Sequence, residues 1–523
     1  MTQPTLLESM TNPAFYPHKP TAVEMVQTHI SYVFIAGDFV YKIKKPVNFG
    51  FLDFTDLAKR KFYCDEELRL NKRLASSIYL DVVALSEDAK GNIILGSEGT
   101  VIDYAVRMKK LPQDKMLKIL LAEGKVDDKV IDRVADKIAA FHQVAETGGR
   151  IDEMGSMAVI RQNHEENFTQ TLNYVNVTIP EYQYKFIQDY VESFLQEKKA
   201  LMEKRVVHRK IRDCHGDLHL EHICIADEVI VFDCIEFNER FRFGDVAAEV
   251  AFLTMDLDFN GYPQQAESFT KAYIRHSGDT DMLILLNFYR CYYAYVRGKV
   301  ISFRLDQKEI PADERSLIAK TAQRYFDLAY TYAATLEKPV LILTAGLMGC
   351  GKSYQARHLA ARLGARTIRT DVLRKELLKI NPAQKHYVKF GQGIYSDEIS
   401  RRTYDRAYEI ADAAIKSGQA VIIDASFKKR SERQKAMQLA QKLTVPFYMI
   451  ECTCRDEIVK IRLDKRAQEK DNASDGRWEI FQEQKKDFDE VTEVPAANYF
   501  KIDTSDNPER IRQNIIRRIK QGQ

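Results

Sequence analysis

The sequence predicts an α+β region of two lobes, followed by an α/β domain built on a doubly wound parallel sheet. Three observations carry this. A β-hairpin pattern and then long helical patterns fill the chain up to residue 337. Short apolar runs alternating with helices fill the rest. The charge also changes sign at that point, with 42 basic against 50 acidic residues up to Glu337 (−8) and 36 against 25 after it (+11). At 523 residues, and roughly 150 residues per domain, two to four domains are expected, with boundaries at 1–110, 111–337 and 338–523.

Residues 28–45, THISYVFIAGDFVYKIKK, read as two β-rich runs around the turn Ala36-Gly37-Asp38, and Pro46 ends the second run. From Asp56 to Ala75, Leu57, Phe62, Leu68, Leu70 and Leu74 recur at roughly helical spacing among charges. Strands are expected at 82–85 and 101–108. Helical patterns run over 115–147, 183–204 and 247 to about 336, broken by strand-like segments at 223–225 and 229–232. After Pro339 come VLILTAG, then 366–370, VIIDA, PFYMIEC and YFKID. Five short buried strands alternating with helices require a parallel sheet with crossover helices.

No run of eighteen apolar residues occurs and Met1–Pro20 is polar, so neither a membrane span nor a signal peptide is expected, no membrane partner follows, and the expected location is cytoplasmic. The eight cysteines never form C-x-x-C, which fits reduced thiols rather than disulfides or a zinc ribbon. No nucleic-acid-binding module is recognisable.

Gly346-Leu347-Met348-Gly349-Cys350-Gly351-Lys352-Ser353 matches G-x-x-x-x-G-K-[ST] between an apolar strand and a helix. Such a loop turns backbone N–H groups around a β-phosphate; Lys352 supplies a point charge and Ser353 a hydroxyl for Mg²⁺. Gly346, Gly349, Cys350, Gly351 and Tyr354 complete the expected nucleotide cradle. Asp371, ending the second strand of this domain, is placed to take a proton from an acceptor hydroxyl, and Arg374, one turn on, to hold an anionic substrate group. The bland alternative is a helix cap and a surface arginine. Asp424 ends the strand Val421-Ile422-Ile423 where a Mg²⁺-associated acid belongs. Arg462 and Arg466, four apart on a helix, can close as a lid over a transferring phosphoryl group, although such spacing more often marks a solvated face.

In the first region, His215-Gly216-Asp217-Leu218-His219 and Val231-Phe232-Asp233-Cys234-Ile235-Glu236 set two carboxylates sixteen residues apart beside short strands. Phosphoryl transfer needs one such Asp as proton acceptor and the other on Mg²⁺. The rival reading is a metallohydrolase site of His215, Asp217, His219 and His222. Against it stands a lysine strand followed by a helix bearing Glu66 and Glu67, a pairing that grips phosphates. Lys42 is preferred over Lys44 and Lys45 from the strand alternation, and Glu67 over Glu66 from its spacing to Leu74.

GLMGCGKS, Thr370 to Arg374, VIIDASF, the Arg462/Arg466 pair and Ile502-Asp503-Thr504 resemble the small P-loop kinases of the gluconate-kinase-like and polynucleotide-kinase-like type, which implies transfer of the ATP γ-phosphate to a hydroxyl. Tyr354 departs from the Thr usual there. FIAGDFVYKIKKP, EELRLNKRL, YAVRMKKLP, CHGDLHLEHICI, VFDCIEFNERFRFGDVAAEVAFLTMDL and YVRGKV resemble an aminoglycoside-phosphotransferase-like (protein-kinase-like) fold over 20–335. That resemblance implies Asp217 as base, Asp233 as Mg²⁺ ligand, Lys42 on the phosphates with Glu67 as its partner, and Ala105 to Met108 as the adenine-side hinge. His222 stands where Asn usually ligates the metal. The two halves in this order resemble bacterial proteins that fuse an aminoglycoside phosphotransferase domain to a P-loop ATPase/kinase.

The expectation is an ATP- and Mg²⁺-dependent phosphotransferase with two nucleotide sites, acting on a small-molecule hydroxyl or, for the P-loop half, a nucleic-acid end. The acidic first part favours a cationic acceptor and the basic second part an anionic one. The alternative is an ATP-binding regulatory protein whose first half is a non-catalytic recognition module. Oligomeric state and acceptor identity are not readable from the sequence.

Overall fold

In the computed structural model, residues 3–50, 52–307, 310–381, 391–467 and 477–522 are described, the side chains of 3–5 and 466–467 excepted. The chain divides into two compact units, Met1–Ala333 and Ala334–Gln523.

The first unit opens with a six-stranded antiparallel sheet of order β1-β2-β3-β6-β4-β5, formed by β1 (Val23–Gln27), β2 (Ser31–Ala36), β3 (Phe39–Lys44), β4 (Tyr79–Glu87), β5 (Ile93–Leu95) and β6 (Thr100–Lys109). The β2–β3 turn pairs Ala36 with Phe39. The helix Leu57–Ala75 packs on β4 and β6 and is capped by Asp56, whose carboxylate accepts from the Lys59 N–H. Its buried positions include Arg60, Cys64, Glu67, Asn71 and Leu74 at helical spacing. Phe62, expected in the apolar stripe, is instead 58% exposed. Polar side chains take the inner face because each finds a partner there: Arg60 meets Asp103 at 2.9 Å, Asn71 donates to the Glu67 carbonyl, and Glu67 meets two lysines.

The remainder of this unit is mostly helical, with two short ladders, β7 (Ile211–Asp213) with β10 (Phe243–Asp245) and β8 (Ile223–Ile225) with β9 (Val229–Val231). The helix Val246–Phe259 is almost wholly buried yet carries Glu249 and Asp256, and the helix Met282–Phe303 packs against it. The helix Met157–Thr171 lies where no helix is expected from the sequence. No helix among the described residues is long and apolar enough to cross a membrane.

The second unit holds a five-stranded parallel sheet of order β12-β13-β11-β14-β15, from β11 (Leu341–Ala345), β12 (Arg366–Arg369), β13 (Val421–Asp424), β14 (Phe447–Thr453) and β15 (Tyr499–Asp503). Thr370 belongs to the following helix, Thr370–Leu377, rather than to β12. Every residue of β11 is buried, as a central strand covered on both faces requires. Its register sets Thr344 beside Asp424, so the loop after β11 and the carboxylate ending β13 emerge side by side at the C-terminal edge of the sheet.

Candidate active sites

Lys42 lies on β3 with its Nζ 2.9 Å from Glu67 and 2.5 Å from Asp233. Lys44, on the same strand face, meets Glu67 at 2.8 Å and also pairs with Glu236. Glu67 therefore serves two lysines, and Glu66 pairs outward with Arg69. Burial works against the Lys42 ammonium, but Asp233 and Glu67 outweigh it and hold Lys42 firmly charged. Burial likewise opposes the Asp233 carboxylate, and Lys42 outweighs it, leaving that carboxyl well below its usual range. Asp233 has φ 63°, a left-handed conformation costly for a non-glycine residue. It is held there by Tyr79 and Asn71, which accept from and fix the N–H groups of Asp233 (3.2 Å) and Cys234 (2.9 Å).

The HGDLH segment is fastened from beneath by Glu249, whose carboxylate accepts from the N–H groups of His215 (2.8 Å) and Gly216 (2.7 Å) and pairs with the buried His142 at 2.7 Å. His222 Nδ1 donates to the Asp217 carbonyl (2.9 Å), since a carbonyl only accepts. This leaves the Nε2 lone pair 3.6 Å from Asp233. Burial lowers the His222 pKa and keeps the ring neutral. His219 lies 3.6 Å from the Asp217 carboxylate. Burial would raise the Asp217 pKa, but His219 and the Arg297 charge pull it well below the ordinary value.

Lys42, Met108, Asp217 and Asp233 line one cavity of about 890 Å³. Ala105 and Val106 are core residues of β6 with no exposure. Of the expected hinge only Met108 reaches the cavity, joined by Lys109, Lys110 and Leu111. Asp217, His219 and His222 also bring one ligand atom each within 4.8 Å of one another. His215 does not join them: its Nε2 donates to the Phe232 carbonyl, and burial drops its pKa to about 4.

In the second unit the loop Gly346–Ser353 leads straight into the helix Lys352–Leu363. Gly346 and Gly349 have φ 125° and 77°, and a Cβ there would lie 2.3 Å from the Cys452 carbonyl oxygen and 2.7 Å from Val459. No other residue fits without shifting the loop. Lys352 Nζ donates to the Leu347 carbonyl within the loop (2.8 Å), and Ser353 follows it in the helix. Cys350 is buried. Asp424 accepts from Thr344 (3.0 Å), and its backbone carbonyl accepts from Thr370 (3.1 Å). Burial lifts the Asp371 carboxyl above its usual range, Arg374 and Lys352 draw it down, and Asp424 pushes it further up. These four charges share one neighbourhood. Arg374 donates to the Ile394 carbonyl and to Ser400, both at 3.0 Å, while its buried Nε has no hydrogen-bond partner among the described residues.

Arg462 donates to the Thr504 hydroxyl (2.9 Å) and carbonyl (3.0 Å) and to the Gly349 carbonyl, and so ties β15's end to the Gly346–Ser353 loop. The Arg466 side chain lies outside the described residues. The Tyr354 ring rests on His358 and Arg512, which leaves only its backbone for the nucleotide cradle.

Sequence reading set Lys44 aside in favour of Lys42 and missed Glu249, Asn71, Tyr79 and Glu236. Of these four, Glu249 left a readable trace, an acid within the otherwise apolar run VAAEVAFL.

Residues 63–283 match the family model described as the phosphotransferase enzyme family, and residues 341–491 the one described as an AAA domain. An uncharacterised protein of Mycobacterium tuberculosis (strain ATCC 25618 / H37Rv) is 29% identical over 448 residues, 85% of this chain and 86% of that one. A gluconokinase from Sinorhizobium meliloti 1021 aligns over 36% of this chain and 94% of its own at 16% identity, with a TM-score of 0.27. A choline/ethanolamine kinase family protein from Mesorhizobium loti aligns over 62% of this chain and 99% of its own at 14% identity, with a TM-score of 0.36. By the two family models, the chain is similar to the phosphotransferase enzyme family over 63–283 and to an AAA domain over 341–491.

Proposed function

From a phosphotransferase-family domain joined to a P-loop domain, we propose an ATP- and Mg²⁺-dependent phosphotransferase with two nucleotide sites, each passing the γ-phosphate to an alcohol. In this reading the sheet of 1–110 and the helical 111–337 are the two lobes of the first kinase, and 338–523 is a P-loop kinase on a doubly wound sheet. The observation that carries it is the convergence of Lys42, Asp217 and Asp233, distant in sequence, on one cavity, with the buried Glu67 paired to Lys42.

In the first unit Lys42, oriented by Glu67, holds the nucleotide phosphates. Asp217 takes the acceptor's proton as its oxygen bonds to the γ-phosphorus; the bond to the β–γ bridging oxygen breaks and ADP leaves with the electron pair. Asp233 and the His222 Nε2 are the residues that would hold Mg²⁺, which when bound neutralises the phosphates. The carboxylate suits that ion, whereas the imidazole nitrogen is a donor that Mn²⁺ accepts more readily. In the second unit Lys352 and the loop N–H groups hold the phosphates, with Ser353 and Asp424 toward the metal. Asp371 accepts the hydroxyl proton, and Arg374 steadies an anionic acceptor. The glycine-built loop and the Ser353 hydroxyl are the donor set such a ligand needs.

The test is an acceptor screen with γ-labelled ATP on the wild type, Asp217→Ala and Lys352→Ala. Each substitution should remove one set of products. Products unchanged in both variants would overturn the reading.

A further inference from the structure

Beyond Asp217, the cavity of the first unit runs between two helices, Met157–Thr171 and Met282–Phe303. One face of the second helix, Tyr289, Tyr292, Val296, Lys299 and Phe303 at helical spacing, forms a wall. The charges along this end are unequally matched. Glu166 is bound by both Arg240 guanidinium nitrogens (2.8 and 2.6 Å), Glu249 by His142, and Asp245 by Arg205. Asp217, like Glu249, has only imidazoles at ion-pair distance among the described residues, His219 at 3.6 Å and His222 at 3.5 Å.

The cations have the opposite condition. Lys299 Nζ donates only to amide oxygens, Asn167 at 2.6 Å and Gln170 at 2.7 Å. Arg297 stands over the Tyr325 ring at 5.8 Å and feels Asp217 and Asp256 only through space. Neither has a carboxylate within ion-pair distance among the described residues. Burial holds the Lys299 pKa down to about 8, with Glu166 pulling it up and Arg240 down; an arriving anion would relieve that cost. Val300 and Phe303, 50% and 38% exposed, put apolar surface beside Lys299.

We propose that the acceptor of the first unit is an anionic alcohol, its hydroxyl presented to Asp217, its carboxylate or phosphate group held by Lys299, and its body laid on the Tyr292 and Phe303 wall. This rests on the phosphotransferase reading and narrows it. It reverses the cationic acceptor expected from the charge of −8, because net charge counts surface residues that the cavity never meets.

The experiment is calorimetric titration of the full-length protein, saturated with Mg²⁺ and a non-hydrolysable ATP analogue, using two aromatic probes of opposite charge, phenyl phosphate and benzyltrimethylammonium. Phenyl phosphate should bind, weaken about tenfold or more in Lys299→Met, and recover in Lys299→Arg, with the ammonium probe not binding. An ammonium probe that binds as tightly, absence of phenyl phosphate binding, or binding indifferent to Lys299 would each overturn the inference. Loss of analogue binding in Lys42→Met is a separate arm: its absence would sink the phosphotransferase reading of this unit, while a Lys299-dependent phosphate site would still stand.

Discussion

In the first unit Lys42 is held by carboxylates 25 and 191 residues away along the chain and Lys44 by carboxylates 23 and 192 away. In the second, Lys352 is held by a carbonyl five residues away. The first arrangement exists only once the sheet, the helix Leu57–Ala75 and the Asp233 turn have come together, and it knits the fold as it builds the site. The second is the property of a loop, shaped by its glycines and its place after a central strand. The same ligand chemistry is thus built into tertiary structure in one unit and into local sequence in the other, so damage to each should register differently.

The largest difference is expected in the proton acceptors. Asp217→Asn and Asp371→Asn should each lower turnover of their own product about a thousand-fold while nucleotide binding persists. Loss of both products from one substitution would mean that the units share a single reaction. Glu67→Gln should then cost the first unit about 3–5 kcal/mol, because it leaves two buried ammonium groups short of a partner; urea unfolding followed with the wild type alongside measures it. Lys352→Ala should do the reverse, weakening nucleotide binding about a hundred-fold with unfolding nearly unchanged, since only a neutral carbonyl loses its donor. A large stability loss there would break the contrast. Smallest, Gly349→Ala should destabilise the second unit by about 1–3 kcal/mol through its contact with Val459, read as a lowered melting temperature.

The same contrast decides what was legible in the sequence. The phosphate loop, its flanking strand and the position of Asp424 follow from a short motif and from apolar runs that a strand buried on both faces must have. The lysine strand was readable because Val40, Lys42 and Lys44 alternate, and the hairpin because Gly37 interrupts two β-rich runs. What sequence could not give was partnership. Lys44 and Glu236 look like ordinary charges until folding buries them against each other. The helix Met157–Thr171 carries polar residues such as Asn167 inward, toward Lys299, so its periodicity is blurred by the contacts that give it a role. Arg462 is a related case: spacing puts an arginine on a face, and only the neighbouring Thr504 decides what its donors reach.

Because the ammonium of Lys42 bridges Glu67 and Asp233, it cannot turn toward an incoming phosphate without baring an aspartate. One swing of a single side chain offers a positive tip to the guest and vacates a negative berth for the guest's counter-ion. On the proposed function, a triphosphate arriving without its metal meets that bared charge head on, and the pair admits the two together.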